Sequence, residues 1–482
     1  MGIISILWVI VGFSLSFGKD ANGSGIMGYP KTYYMYNDVG ANPDPRLCST
    51  IPLSAFSMFQ LMFAIITAAL ISGSLAERVN FNGWMLFVCF WHILVYCPIA
   101  HMSFHPDGVF RRWGLLDFAG GTVVEMASGY SALAGAMFLG PRKNFHLGNR
   151  NGNIPFVLLG TALFWFGWMG FNSGSDLRAG PLASQAFCTT NTAAAAGMIT
   201  WIFLDKLLGK LPSVVGTCNG VVIGLVAITP ACGYVTVGSS MCIGAIACIV
   251  CYMAGLYFNE RTGIDDSLDV FTVHGIGGTV GIICTGIFCS NHVNPLVPDG
   301  LIYGQGLTLG KHLAIVCVLI PFIFLFSYAI FYMTNLIIPL RKYRATKRAD
   351  FLHRLLGTIK YSFLLHQTHH ISRCFCWRGI CWPGHIHAQR INGRDRHKES
   401  EDCRNEVRFD DYNFILDTFI NFVRLTCFQT ATDLAYFILI YRNEYRRRLY
   451  EDIGRTHRSD LELEHDPIPV RSAHIDVENQ AV

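Results

Sequence analysis

The sequence predicts an all-α fold, a polytopic membrane helix bundle followed by a long C-terminal tail. Three observations predict it. Of the 482 residues, 52% are hydrophobic and only 15% charged, with a mean hydropathy of +0.37; that balance belongs to helices bathed in lipid rather than water. Apolar segments of span length recur at regular spacing through residues 1–340. Finally, the string GLLDFAGGTVVEMASGYSALAGAMFLG, Gly114 to Gly140, sets two carboxylates in a segment otherwise apolar and rich in small residues.

The formal net charge of +4 is too small to point to nucleic acid. The 17 cysteines sit mostly inside apolar segments, as Cys242, Cys248 and Cys251 do, where they serve as small hydrophobes and not as a disulfide framework. No cofactor, resident metal or enzymatic activity is expected.

In chain order, Ile3–Phe17 is apolar but short for a span, and it lacks the basic start and small-residue cleavage site of a signal peptide. A polar loop follows to Ile51, with Asn22-Gly-Ser24 fitting a glycosylation acceptor. Spans are expected near 53–76, 82–101, 119–140, 154–172, 184–205, 213–230, 236–258, 271–289 and 312–338, about ten with the first segment. The basic groups Arg142/Lys143/Arg150, Lys206/Lys210 and Arg341–Arg348 alternate onto one side, which should be cytoplasmic; Arg111 and Arg112 fall on the other. An even number of spans puts both termini in the cytoplasm.

The carboxylates carry the first functional signal. Read as one helix from its start, the third of these long spans places Glu125 about 12 Å deeper than Asp117. An acid at that depth costs several kcal/mol in lipid, so it faces protein or a cavity, either as a packed hydrogen-bonded group or on an internal pathway. A second unusual helix, DVFTVHGIGGTVG (Asp269 to Gly281), carries His274, which by itself reads as a hydrogen-bonded packing residue and gains a functional reading from the helix that carries Glu125. Both helices contain GGTV, at Gly120–Val123 and Gly277–Val280, a weak sign of two inverted repeats meeting at a midplane site. Phe63, Phe104 and Phe187 lie in conspicuous segments; aromatic faces attract small cations by about 0.5–2 kcal/mol. GWMGFNSGS and TPACGYV have the glycine and proline of tight helix ends.

In order along residues 5 to 340, GSLAERVNF, PIAHM, GLLDFAGGTVV, GFNSGS, TPACGYV and DVFTVHGIGG make the chain similar to the ammonium transporter family, the Amt/Mep group. TPACGYV together with DFAGG favours this group over the related Rhesus glycoproteins. The resemblance implies eleven helices in two inverted halves, a homotrimer with one pore per subunit, and a multi-pass protein of the plasma membrane whose C-terminus is cytoplasmic. It implies that ammonium, or its methylated analogue, is recruited at an outer aromatic vestibule, deprotonated, and conducted as ammonia. By motif, Asp117 resembles the aspartate that supports the outer site, Phe63 and Phe187 the stacked gate, and His274 the second of two pore histidines. Three departures stand out: Glu125 replaces the first pore histidine, as in some fungal-type members; Phe104 replaces the vestibule tryptophan; and Ile3–Phe17 resembles the family's second helix, so that about ten of the eleven are recognisable. A non-transporting ammonium sensor and a Rhesus-type ammonia or carbon dioxide channel are the alternatives.

Residues 341–482 form a separate cytoplasmic region. RKYRATKRADFLHR reads as a basic anchor or anionic-lipid contact; Cys374, Cys376 and Cys381 with nearby histidines lack a standard zinc spacing; and 413–441 reads as an amphipathic helix before a charged, disordered end.

Overall fold

The computed structural model describes residues 1–142 and 153–341. Its long elements are ten helices: α1 (Gly2–Phe17), α2 (Leu53–Ser74), α3 (residues 81–104), α4 (Gly121–Leu139), α5 (Ile154–Gly174), α6 (Pro181–Leu207), α7 (Val214–Ile228), α8 (Val237–Arg261), α9 (Phe271–Phe288) and α10 (Leu307–Ile337). The expected spans match these within a few residues. Among the described residues, eight regions are long and apolar enough to cross a bilayer; α1 and α7 are shorter. Polar residues set several starts: Asn80, Asn153, Ser213 and Thr236 each accept a backbone N–H from the first turn of α3, α5, α7 and α8.

Two cores are built. Trp8, Phe13, Phe63, Ile71, Trp91, Tyr96, Val124 and Phe331 anchor the one shared by α1–α4 and α10. Trp168, Ala193, Val226, Cys248 and Val273 belong to the other, shared by α5–α9. The cores meet where α4 crosses α9. Here small residues decide the geometry: a Cβ on Gly129 would stand 2.0 Å from Gly275 N, and one on Gly278 2.7 Å from Glu125 Cβ. Higher numbers on α4 meet lower numbers on α9, so the two helices run antiparallel.

Two expectations are corrected. Gly114 to Gly140 is not one helix: α4 begins at Gly121, after Gly120 turns the chain at φ +109°, and Asp117 lies in the segment before it. Glu125 is therefore on the first turn of α4, not 12 Å along a helix that Asp117 starts. Nor do the GGTV strings mark a repeat. The first precedes Glu125 while the second follows His274, so a symmetry that pairs the two side chains does not superpose them. What α4 and α9 share instead is an opening π-helical turn, Gly121–Met126 and Phe271–Ile276, carrying Glu125 and His274 respectively.

At the far end of α4 a buried ionic cluster ties three chain segments together. Asp265 receives Arg142 N (2.7 Å), Arg142 Nε (2.8 Å) and Arg142 Nη2 (2.9 Å), and Arg78 Nη1 at 3.3 Å. Arg78 Nη2 also donates to the Asp265 carbonyl, and Nη1 to Ser267 Oγ at 2.9 Å. Burial pushes the Asp265 carboxyl up, but the Arg142 hydrogen bonds and the Arg78 charge outweigh it and hold the group below the usual aspartate value. Arg341 Nη1 donates to Leu139 O at 2.6 Å on the same end. The expectations for Lys143, Arg150, the cysteine–histidine stretch, residues 413–441 and the rest of the tail lie outside the described residues.

Candidate functional site

The site is assembled around the start of α4. Asp117 is buried, and its carboxylate is fully engaged: Oδ1 accepts Gly120 N (2.8 Å) and Gly121 N (2.7 Å), while Oδ2 accepts Thr122 N (2.8 Å) and Thr122 Oγ1 (2.5 Å). It satisfies the N–H groups that a helix leaves unpaired at its start and places a negative charge there. Only glycine adopts the Gly120 backbone without strain, and a Cβ at that point would lie 3.5 Å from Phe63 and 3.6 Å from Phe104.

Phe63, Phe104 and Asp117 line one cavity of about 160 Å³, together with Gln60, Arg46 and Arg111. Phe104 meets Phe63 edge-on at 6.0 Å. Arg46 is paired with Asp107 at 2.7 Å. Phe63 also stacks on Phe171, with ring centroids 4.0 Å apart and planes at 22°. The expected partner, Phe187, is 47% exposed on α6, and the ring stacked on Phe63 is that of Phe171. The orientation of Phe171 is set by the end of α5: Asn172 Nδ2 donates to Thr190 Oγ1 (2.9 Å), and Trp168, edge-on to Phe171, donates Nε1–H to Thr229 Oγ1 (2.7 Å). The available signal was GWMGFNSGS itself, which puts an aromatic ring directly before a polar helix end.

Glu125 and His274 are brought together. His274 Nδ1 and Glu125 Oε2 share a hydrogen bond of 2.7 Å, with the side chains 7% and 0% exposed. Glu125 Oε1 is buried and has no hydrogen-bond partner among the described residues. A buried carboxylate oxygen without a donor is costly.

Residues 1–353 match the sequence profile described as the Ammonium Transporter Family. The chain belongs to that family. It is similar to the ammonium transporter of Bacillus subtilis, at 42% identity over 341 residues, covering 71% of this chain and 83% of the relative. The putative ammonium transporter of Methanothermobacter thermautotrophicus is 41% identical over 329 residues, covering 68% of this chain and 79% of that one. The crystal structure of Saccharomyces cerevisiae Mep2 superposes with a TM-score of 0.67 at 32% identity, over 71% of this chain and 79% of that one.

Proposed function

We propose that the chain moves ammonium across the plasma membrane by removing its proton, with Glu125 and His274 as the acceptors. The observation that carries this reading is the unpartnered Glu125 Oε1 beside a 2.7 Å Glu125–His274 hydrogen bond. Bare ammonium pays the desolvation cost of a charge in an apolar passage, whereas neutral ammonia pays far less. A passage that admits only the neutral form also rejects potassium, which has no proton to give up.

Ammonium enters the cavity beside Phe63 and Phe104, drawn by the aromatic faces. Asp117 acts through its field: both of its oxygens are committed to backbone and Thr122 donors, so it does not ligate the cation. Phe63 and Phe171 keep water out. Glu125 Oε1 takes a proton from ammonium, leaving ammonia and a carboxylic acid; His274, which donates Nδ1–H to Glu125 Oε2, keeps its Nε2 lone pair as the next acceptor. The proton leaves toward the Asp265 end. That end is cytoplasmic in this reading, because Arg78, Arg142 and Arg341 gather there, and the tail follows on the same side. The functional unit is a homotrimer in a lipid bilayer, as the family resemblance implies. The relatives' names favour transport over sensing.

Uptake of labelled methylammonium into cells that lack their own ammonium transporters tests the reading. Glu125→Ala and His274→Ala should each cut uptake at least about tenfold at equal membrane abundance. Uptake unchanged in both variants refutes the proton relay.

A further inference from the structure

His312 lies on the first turns of α10, fully buried and outside the cation's path described above. Both of its ring nitrogens are used. Nδ1–H donates to Ile282 O on α9 at 2.8 Å, and Nε2 accepts Leu116 N–H at 3.1 Å. Leu116 is next to Asp117 in the segment that precedes α4. The imidazole therefore spans from the helix that carries His274 to the segment that carries Asp117.

The approach to Ile282 O depends on Gly286. A Cβ there would stand 2.8 Å from Leu309 Cα and 3.3 Å from His312 Nδ1. Without that Cβ, α10 closes on α9 and the ring reaches a carbonyl that already serves its own helix. Other backbone anchors of the segment are Leu115 N–H to Phe110 O (2.9 Å) and Phe118 N–H to Pro230 O (3.0 Å). The His312 bond holds the residue that precedes Asp117, and through Ile282 O it links that residue's backbone to α9. Leu116 is half-buried, and a backbone N–H that loses its acceptor there must find another, so removing Nε2 should shift the segment rather than leave it in place.

We propose that His312 is a positioning residue for ammonium recruitment: by bridging Leu116 N–H and Ile282 O, it holds the Asp117 segment in register with the His274 helix. The inference rests on the reading of Asp117 as support for the outer site. Its signature is in affinity more than in turnover, because the deprotonating pair itself is untouched.

His312→Asn and His312→Gln separate positioning from packing. The shorter amide of asparagine keeps a donor near Ile282 O and withdraws the acceptor from Leu116. Glutamine offers both an acceptor and a donor at the reach of the ring. In methylammonium uptake normalised to protein counted in the membrane, His312→Asn should raise KM about five- to tenfold with Vmax within about twofold. His312→Gln should hold KM within about twofold of the parent. Parental KM in His312→Asn, or a KM raised as much in His312→Gln as in His312→Asn, overturns the inference. If the asparagine variant does not reach the membrane, glutamine decides alone: a parental KM supports the bridge and a raised one overturns it. Asp117→Ala is run in parallel. If it transports normally, the outer-site reading fails and takes this inference with it; if it is inactive while His312→Asn is parental, only the His312 inference fails.

Discussion

Glu125 and His274 are 149 residues apart in the chain, and their side chains meet at 2.7 Å. Each stands on a π-helical turn, and each turn opens a helix whose small residues let the other backbone come close. The pairing of a carboxylate with an imidazole has a consequence that two imidazoles would not share. A carboxylate that accepts His274 N–H at one oxygen still has a second oxygen free to accept, whereas an imidazole that donates through one nitrogen has a single acceptor left.

Glu125→Gln keeps the shape of the side chain and removes its capacity to take a proton, because a neutral amide does not accept one from ammonium. Methylammonium uptake should fall at least about tenfold at equal membrane abundance. Parental uptake in this variant would show that residue 125 is not the acceptor.

Phe171 and Phe187 should separate cleanly. Phe171→Ala removes the ring stacked on Phe63 and should lower uptake or admit competing potassium, by at least about fivefold in the ammonium-to-potassium ratio. Phe187→Ala, on an exposed face of α6, should stay within about twofold of the parent. Electrical recording with each cation is the measurement.

Arg111 lines the same cavity as Phe63, Phe104 and Asp117 and is exposed. Its charge opposes an arriving cation. Arg111→Ala should lower KM about two- to threefold at low ionic strength, with the gain shrinking in high salt as the field is screened. Equal KM at both salt concentrations would remove Arg111 from the recruitment step.

Asp265→Asn should destabilise the bundle by about 3–5 kcal/mol at neutral pH, since it removes the charge that buried Arg78 pairs with and the carboxylate that takes three N–H bonds from Arg142. The sign with pH follows from the depressed Asp265 value. A carboxyl held below its unfolded value adds stability above that value and loses it as pH falls through the folded one. The gap between parent and variant should be full at pH 7 and close below the ordinary aspartate range near about pH 4. Thermal unfolding in detergent across pH reads it directly.

Much of this was legible in the chain. The apolar segments gave the helices to within a few residues, because in lipid a backbone must satisfy its own hydrogen bonds and a span has a fixed minimum length. Asp117, Glu125 and His274 were conspicuous for the same reason: a polar side chain at that depth needs a partner. Phe187 and Phe171 were not separable in this way. Both are phenylalanines in apolar helices, and which one meets Phe63 depends on how α5 and α6 rotate, fixed by Asn172 against Thr190 and by Trp168 against Thr229.

The sequence by itself determined the class, the spans, the family and which ionisable groups had to find company, since local composition and length decide those against a lipid solvent. Tertiary structure alone decided who the company is. The antiparallel crossing of α4 and α9 at Gly129 and Gly275 joins Glu125 to His274, the turn at Gly120 takes Asp117 off the helix, and the set of α5 puts Phe171 on Phe63. These are contacts between segments far apart in the chain, and their register follows from backbone packing, which no local pattern encodes.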